Sequence, residues 1–470
     1  MLIITDARRI VVDAATELKG DDARRFEVGV TVPARPATSG VDGPATEPVE
    51  TLDAAGCIVT PGLVNAHHHL LQTIFRTLPG TRGVPMHVWL PTMAAAYAEI
   101  GIDPETASTA ARAGVAEGLL SGVTTIADHH LNWPADADLA GTVEIARATA
   151  DAARRLGGRL AFVRGSARDD PERAAASADA IATALLGDTV TESGTGTLTG
   201  TGTESADKST RRDVTPDGFL QVAVGPAGVH SDGEATFRLL GEVAAQHGLR
   251  RRTQANEQVD VVIALEKYGK RPLQLLEEWG WLADDVTVAH LCAVTEAEIA
   301  LLADRAVTAT HAPGCDLPMG WGIAPVAALA AAGITVGLGT SGGGSNDAGH
   351  LLADARLAMQ VAPLVGPPVD ARTVLAMATE GSATGLGRPE LGHLRPGAAA
   401  DLCVWDVSGV ADAGVADPVA GLLWTNPGRR PRHVVVGGRV VVRDYRLVGH
   451  DEHVIAAEVS QLLATRQAAR

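Results

Sequence analysis

Apolar and polar positions alternate with a period of two at both ends of the chain. Near the N-terminus the stretches LIITDARRIVV and FEVGVTV show this pattern, which is typical of strands with one buried face. The C-terminal part repeats it in ADLCVWD and RHVVVGGRVVVRD, where Gly437-Gly438 predicts a hairpin turn. We therefore expect a small composite β-sandwich built from residues 1–60 plus 389–450, followed by a C-terminal helix over 451–470.

The middle of the chain, residues 61–388, instead alternates short apolar runs with amphipathic segments rich in Ala, Leu and Glu. One such segment, Pro104–Leu120, has Asp103 as a candidate N-cap and a proline at the first helical position. The apolar runs predict eight strands: Ile58–Val64, Val123–Asp128, Arg159–Arg164, Phe219–Gly225, Leu249–Gln254, Val286–His290, Ala306–His311 and Ile334–Thr340. Eight strand–helix units predict an α/β fold, a (β/α)8 TIM-like barrel. The alternative, an open doubly wound sheet, needs a Gly-rich phosphate turn after its first strand, and PGLVNAHHH stands there instead.

One segment interrupts the alternation. Residues 188–212 are a Thr/Gly/Ser repeat with almost no bulky apolar side chain. Such composition predicts a flexible, low-complexity surface insertion between two barrel units. A lid over the site is the alternative, but the segment lacks anchor residues that would hold a substrate.

Charge and cysteine content narrow the function classes. The chain has 56 acidic and 39 basic side chains, a formal charge of −17, which argues against nucleic acid and anionic membrane surfaces as partners. There is no uncharged apolar run of about 18 residues and no signal-peptide pattern. The four cysteines are scattered without a CxxC pair, which fits a reducing compartment. We expect a cytoplasmic protein that acts on a small molecule.

Histidines stand where the predicted barrel strands end. His67 and His69 follow the first strand and, being two residues apart, point to the same side of an extended chain. His290 ends the sixth strand, and catalytic groups of such barrels lie at the C-terminal strand ends. Imidazoles converging from different strands form first-row metal sites, so these three predict a metal centre. The alternative is a polar loop cluster without an ion.

Six motifs carry a family resemblance: PGLVNAHHHLLQTIFR, SGVTTIADHH, VTVAHLCAVTEAEI, PMGWGIAPV, GLGTSGGGSNDAGHLLADARLA and LGHLRPGAAADLCVWD. In this order they resemble the amidohydrolase superfamily. More narrowly, they resemble its deaminase/chlorohydrolase branch, which includes triazine hydrolase and 8-oxoguanine deaminase. The resemblance runs from about residue 50 to the C-terminus, interrupted by the Thr/Gly segment. It implies a metal-bearing barrel with a composite β-sandwich, in a homo-oligomer that we expect to be a dimer.

The resemblance also implies roles for individual residues. It assigns metal binding to His67, His69 and His290, and proton transfer between water and substrate to Glu257. Its pocket positions fall on Gln72, Trp89 and His311. Asp128 is a further candidate for substrate binding, and the alternative is that it orients a neighbouring side chain. The remaining histidines of these motifs, His68, His129 and His130, are expected to be outer-shell or loop residues.

Two positions depart from the family pattern. Gln254 stands at the third imidazole ligand, and Ser341 stands at the aspartate of strand eight, where triazine hydrolase also has a hydroxyl residue. An amide oxygen is a weaker ligand than imidazole, so the expected single divalent ion, with Zn²⁺ as the first candidate, should be held weakly or lost.

Arg252, two residues before Gln254, is expected to face outward or to pair with a carboxylate. The alternative is an inward guanidinium that shares the electrostatic role of the metal or binds an anionic substrate group.

These features predict a metal-dependent hydrolase that removes an amino, amine or chloride substituent from an N-heterocycle. Glu257 and Ser341 are the candidate catalytic residues, and Gln254 is counted with the histidines as a candidate ligand. The alternative is a family member with a degraded metal site that binds a heterocycle or catalyses a non-hydrolytic step such as elimination or cyclisation.

Overall fold

A computed structural model describes residues 2–28, 50–187 and 212–468. Most of the predicted insertion, 188–211, lies outside the described residues. The strands are β1 (Leu2–Thr5), β2 (Arg9–Val11), β3 (Glu17–Lys19), β4 (Arg25–Val28), β5 (Glu50–Asp53), β6 (Cys57–Pro61), β7 (Leu63–His69), β8 (Val123–His130), β9 (Arg159–Ser166), β10 (Leu220–Pro226), β11 (Arg250–Ala255), β12 (Val286–His290), β13 (Thr308–His311), β14 (Val336–Leu338), β15 (Ser341–Gly342), β16 (Leu402–Asp406), β17 (His433–Val436), β18 (Arg439–Arg443) and β19 (Arg446–Leu447).

The α-helices are α1 (Met86–Ile100), α2 (Pro104–Leu120), α3 (Leu139–Leu156), α4 (Pro171–Leu186), α5 (Glu234–His247), α6 (Val259–Tyr268), α7 (Pro272–Glu278), α8 (Glu296–Asp304), α9 (Pro313–Asp316), α10 (Val326–Ala331), α11 (Leu351–Val361), α12 (Ala371–Ala376), α13 (Ser382–Gly385), α14 (Pro418–Trp424) and α15 (Glu452–Ala468). Helix α2 begins as predicted, because the Asp103 side chain accepts a hydrogen bond from the Thr106 backbone N–H at 2.8 Å. Among the helices of the described residues, none is long and apolar enough to cross a membrane.

The central sheet closes into a barrel. Its strands run in the order β14-β13-β12-β11-β10-β9-β8-β7-β15, and the neighbouring pairs are parallel. Strands β14 and β15 are two parts of one segment: its first part pairs with β13 and its last part with β7. Between them, Gly339 N–H donates to the His311 carbonyl and Thr340 N–H donates to the His67 carbonyl. The predicted (β/α)8 TIM-like barrel is therefore confirmed.

The first predicted barrel strand was wrong in its bounds. The apolar run Ile58–Val64 is divided at Gly62 between β6, which joins a terminal sheet, and β7, which is the first barrel strand. A Cβ at Gly62 would lie 2.3 Å from the Thr124 hydroxyl oxygen, so the chain passes from one sheet to the other where only glycine fits. The other seven strands occur where they were expected, with ends shifted by a few residues.

The chain ends build the small domain together. A seven-stranded sheet has the order β19-β18-β17-β16-β6-β2-β3, and a three-stranded sheet has the order β4-β1-β5. Side chains of both sheets, such as Ile4 and Val404, share one apolar cluster, which gives the expected composite β-sandwich. The exact boundaries between this domain and the barrel remain a prediction.

A buried ion pair joins the barrel to the sandwich below the N-terminal end of β9. Arg159 Nε donates to Asp401 Oδ2 at 2.8 Å, and Asp401 Oδ1 accepts the Gly437 N–H at 2.7 Å. This end of the barrel therefore serves packing, while the C-terminal strand ends form the site.

Candidate metal centre

Three imidazole rings meet at the C-terminal end of the barrel. His67 and His69 end β7, and their ring centroids lie 4.9 Å apart. The His290 ring reaches the same place from β12, with its centroid 5.2 Å from that of His67. The structure thus brings together the three histidines that sequence spacing placed at strand ends.

His67 and His69 of β7 each offer the lone pair of a ring nitrogen. His69 Nδ1 donates to the His129 carbonyl oxygen at 2.7 Å, which leaves its Nε2 unprotonated. His67 Nε2 is buried without a hydrogen-bond partner. Burial lowers the pKa of His67 well below its usual value and that of His69 to about 4, so both rings are neutral at pH 7.

His290 is held by two partners, one at each ring nitrogen. Asp316 Oδ1 accepts from Nδ1 at 2.6 Å, and both side chains are fully buried. Gln254 Oε1 accepts from Nε2 at 3.0 Å, while the Gln254 amide donates to the Ala227 carbonyl and so keeps Oε1 facing His290. Burial alone would lower the pKa of His290, but the charges of Asp316 and Glu257 raise it.

Glu257 lies next to this group at the end of β11. Its Oε1 is 3.6 Å from His290 Nε2, and its Oε2 is buried without a hydrogen-bond partner. Burial raises the pKa of Glu257 to about 8, against the opposing effect of His290. A carboxyl group with a pKa near neutrality can both accept and release a proton at pH 7.

The residues present fit a divalent ion. His67 Nε2 is an orphaned buried nitrogen, and metal binding would replace the proton that His290 Nε2 shares with Gln254 Oε1. His69 carries the backbone hydrogen bond that ligating histidines usually make through their second nitrogen. Within the described residues, the one set of three His, Cys, Asp or Glu donors that all lie within 4.8 Å of one another is His290, Cys315 and Asp316. We attribute that closeness to the Asp316–His290 hydrogen bond, which orients the ring.

Backbone strain occurs at several of the same strand ends. Positive φ angles occur at Asn256, Gln258, His290, Leu291 and Ser341, none of which is glycine. Each such conformation costs of order 1–3 kcal/mol and persists where surrounding contacts impose it, commonly at functional sites.

Arg252 does not face outward, in contrast to the expectation. Its side chain leaves β11, crosses the barrel interior and donates to the Ala66 carbonyl of β7. No carboxylate of the described residues lies within ion-pair distance of it, and burial, with a smaller effect of Arg250, lowers its pKa to about 9. A guanidinium cation therefore lies beneath the imidazole cluster and opposes cation binding there.

The other predicted site residues lie around the cluster in different ways. Ser341 is buried, and although burial raises the pKa of the nearby Cys315 thiol, Ser341 opposes this rise. Gln72 Oε1 accepts from Gly344 N–H at 3.1 Å, and Trp89 Nε1 donates to the Gly344 carbonyl at 3.0 Å. Both thus hold the loop that follows β15.

His311 and Asp128 occupy contrasting surroundings. Both ring nitrogens of His311 are buried without hydrogen-bond partners, and its Nδ1 lies 3.6 Å from Asp316 Oδ2. Asp128 Oδ1 instead accepts the Leu70 N–H at 2.7 Å, so this carboxylate fastens the turn that follows β7. Both ring nitrogens of His311 are thus available to a ligand, whereas Asp128 has one oxygen engaged and only Oδ2 left without a hydrogen-bond partner.

Sequence reasoning missed Asp316 and Cys315, which lie in the short helix α9 after β13. The available signal was their place in HAPGCD, directly after a barrel strand that ends in a histidine. Nothing in the pattern distinguished this carboxylate from others in the loops.

Comparison with known proteins agrees with the fold and the motifs. Residues 58–441 match the amidohydrolase family. An 8-oxoguanine deaminase of Pseudomonas aeruginosa PAO1 is 31% identical over 453 residues, 94% of this chain and 92% of the relative. A 5-methylthioadenosine/S-adenosylhomocysteine deaminase of Halobacterium salinarum NRC-1 is 31% identical over 425 residues, 89% of each chain.

A solved structure shows the same similarity in three dimensions. The atrazine chlorohydrolase of Arthrobacter aurescens TC1 complexed with zinc superposes with a TM-score of 0.79 at 33% identity, covering 98% of this chain and 100% of that one. The family match spans most of the barrel and part of the sandwich, and the relatives are similar over nearly their whole lengths. This chain therefore belongs to the amidohydrolase family.

Proposed function

We propose that the strand-end site carries out metal-dependent hydrolysis of a small N-heterocycle, with loss of an amino, amine or chloride substituent. The chain is a hydrolase of the deaminase and chlorohydrolase type, and it acts on C–N or C–Cl bonds. The observation that carries the assignment is a buried, unpartnered Glu257 oxygen beside the cluster of His67, His69 and His290. The comparisons do not favour the alternative, a degraded site with a non-hydrolytic reaction.

The ligands in this proposal are His67, His69, His290 and the amide oxygen of Gln254. Zn²⁺ is the proposed ion, because imidazole nitrogen suits zinc and a similar enzyme is solved with zinc. When bound, a divalent ion supplies the Lewis acidity that makes water a nucleophile near pH 7.

Proton transfer falls to Glu257. Its free Oε2 takes one proton from the attacking water and delivers it to a ring nitrogen of the substrate. It then carries the second proton, from the newly formed hydroxyl group, to the departing amine, whereas chloride leaves as the anion. Ser341 stands where the family has a second acid and supplies only a hydroxyl, so Glu257 performs both transfers. Burial raises the pKa of Glu257, which brings proton uptake and release closer to neutral pH.

The substrate pocket in this proposal lies beside an apolar cluster that includes Met319, Trp321 and Trp89. The Trp321 ring packs edge-on against His290 with 5.1 Å between centroids, so this cluster adjoins the metal centre. Flat aromatic rings stack on such surfaces. His311 supplies ring nitrogens for hydrogen bonds with substrate, while Gln72 and Asp128 shape the pocket through the loops they hold.

The test combines metal analysis with a substrate panel. Purified protein, supplied with Zn²⁺, is assayed for ammonia or chloride release from aminated and chlorinated purines, pterins and triazines. We expect hydrolysis of at least one class, and Glu257→Gln should reduce kcat by about 10²–10⁴-fold while bound metal is retained. Ligand binding without product release, in protein that holds about one equivalent of metal, would contradict the proposal.

We further propose a cytoplasmic homodimer. The cysteines are free thiols in the structure, as expected of a reducing compartment, and the family resemblance implies an oligomer. Light scattering on the full-length chain tests the assembly: a monomer mass at micromolar concentration would contradict it.

A further inference from the structure

Glu257 lies in a turn whose backbone adopts a sparsely populated conformation. The residues on either side of it, Asn256 and Gln258, have φ angles of 57° and 64°, and neither is glycine. The Glu257 carbonyl accepts the Val259 N–H at 2.7 Å, so a tight turn joins the end of β11 to the start of α6. Such a conformation persists only where surrounding contacts impose it.

A buried carboxylate in the first turn of α6 supplies one of these contacts. Asp260 Oδ2 accepts the Asn256 N–H at 2.7 Å, and the Asp260 side chain is fully buried. This bond spans the turn, because its two residues lie on either side of Glu257. The other oxygen, Asp260 Oδ1, is buried without a hydrogen-bond partner. A carboxylate buried in this way costs free energy, so its presence needs a reason.

The remaining polar groups of Asn256 are held by the segment that follows β12. Its carbonyl accepts the Ala293 N–H at 2.8 Å, and its Nδ2 donates to Glu298 Oε2 at 3.0 Å. Arg271 Nη2 lies 2.8 Å from the same Glu298 oxygen, so this partner is itself fixed by an ion pair. Of these contacts, only the one to Asp260 comes from the helix that follows Glu257 directly. It therefore closes the turn from its C-terminal side.

We propose that Asp260 is a positioning residue for Glu257: by accepting the Asn256 N–H it fixes the turn that carries the Glu257 carboxyl group. That carboxyl group lies 3.6 Å from His290 Nε2, and proton transfer requires it to stay within hydrogen-bond reach of water and substrate. A displacement of about 1 Å in a catalytic site can cost about 100-fold in rate. This inference rests on the proposed function, since Glu257 serves the reaction proposed above.

The test separates the position of Glu257 from the charge beside it. Asp260→Ala removes the acceptor of the Asn256 N–H, whereas Asp260→Asn keeps an oxygen acceptor and removes the charge. We expect Asp260→Ala to lower kcat by about 100-fold, with KM and bound Zn²⁺ within about threefold of wild type. Asp260→Asn should restore kcat to within about fivefold of wild type, because the hydrogen bond is kept. Asp260→Leu fills the space without an acceptor, and it is the second variant in case the cavity left by Ala prevents folding.

Asp354→Ala is the matched control. Asp354 is also a buried carboxylate that accepts a backbone N–H, that of Gly314 at 2.8 Å, but it lies in α11 and does not contact the Glu257 turn. Its loss should leave kcat within about threefold of wild type. Urea unfolding establishes that each variant compared is folded.

Crystal structures of the full-length variants give a measurement that is independent of turnover. The Glu257 carboxyl group should move by about 1 Å or more in Asp260→Ala and keep its place in Asp260→Asn and Asp354→Ala. Unchanged kcat with Glu257 in place in folded Asp260→Ala or Asp260→Leu would overturn the inference and leave the hydrolase assignment intact. An equal loss of kcat in Asp260→Asn and Asp260→Ala would overturn it as well, because charge and not position would then be the cause. Absence of product release by the wild type, with Glu257 displaced in Asp260→Ala, would overturn the proposed function alone.

Discussion

Replacing Asp316 by Asn tests how the structure orients His290 as a ligand. The change keeps the size of the side chain and removes its charge, while an amide oxygen can still accept from Nδ1. The bond is 2.6 Å long between two fully buried groups. Hydrogen bonds to charged groups contribute about 1.5–3 kcal/mol, and each 1.4 kcal/mol is a factor of ten in affinity. We therefore expect Zn²⁺ to bind about 10–100-fold more weakly, the range found for outer-sphere partners of metal ligands.

The Zn²⁺ affinity is measured by competition with a chelator, on variants whose folded state is confirmed by urea unfolding. Asp354→Asn is the matched control. Asp354 is a buried carboxylate on the neighbouring helix α11 that accepts from the Gly314 N–H and does not contact His290. Its replacement should leave Zn²⁺ affinity within about threefold. If Asp316→Asn bound Zn²⁺ as tightly as wild type, Asp316 would not orient a ligand, and the assignment of His290 would lose its main structural support.

Three further predictions concern stability, each measured by urea unfolding. Burial raises the pKa of Asp354 to about 7, above its unfolded value of 3.8, so the folded state binds more protons between these values and stability falls as pH rises through that window. At about 1.36 kcal/mol per pKa unit, the advantage of Asp354→Asn over wild type should grow by about 4 kcal/mol from pH 4 to pH 8, and a constant difference would contradict the pKa shift. Gly225→Ala would place a Cβ 2.0 Å from the Arg252 carbonyl oxygen and should cost about 1–3 kcal/mol or more; a neutral effect would mean that β10 and β11 are farther apart. Asp401→Ala leaves Arg159 buried and unpaired and should cost about 3–5 kcal/mol, whereas a loss below about 1 kcal/mol would show that the pair is solvated.

The alternation of apolar runs with amphipathic segments predicted the barrel well, because a helix or loop separates most of its strands along the sequence and marks where each strand ends. The failure at Ile58–Val64 has a specific cause. The apolar run is continuous, yet its halves serve two sheets, and the break depends on the packing of Thr124 against Gly62. That contact joins residues far apart in sequence, and no local pattern contains it.

The site shows the same division between local and distant information. His67, His69 and His290 could be predicted as a cluster because each stands at a strand end. The partner of His290 could not, since Asp316 lies in a loop helix 26 residues away, and only the closed barrel brings the two together. For Arg252 the period-two pattern did favour the inward side, but the cost of burying an unpaired cation argued against it. The Ala66 carbonyl is the partner that the sequence did not reveal.

Two features of β11 act on cation binding in the same direction. Gln254 replaces an imidazole by an amide oxygen, a weaker donor that is nonetheless held facing His290 by its bond to Ala227. Arg252 adds a buried positive charge below the same ligands. This charge repels a bound cation strongly, because water is excluded there. Both features lower the affinity for a cation that we expect of this site. A departure from a ligand pattern therefore has to be weighed with the charges that surround it in space, and here the Glu257 and Asp316 carboxylates beside His290 act in the opposite direction.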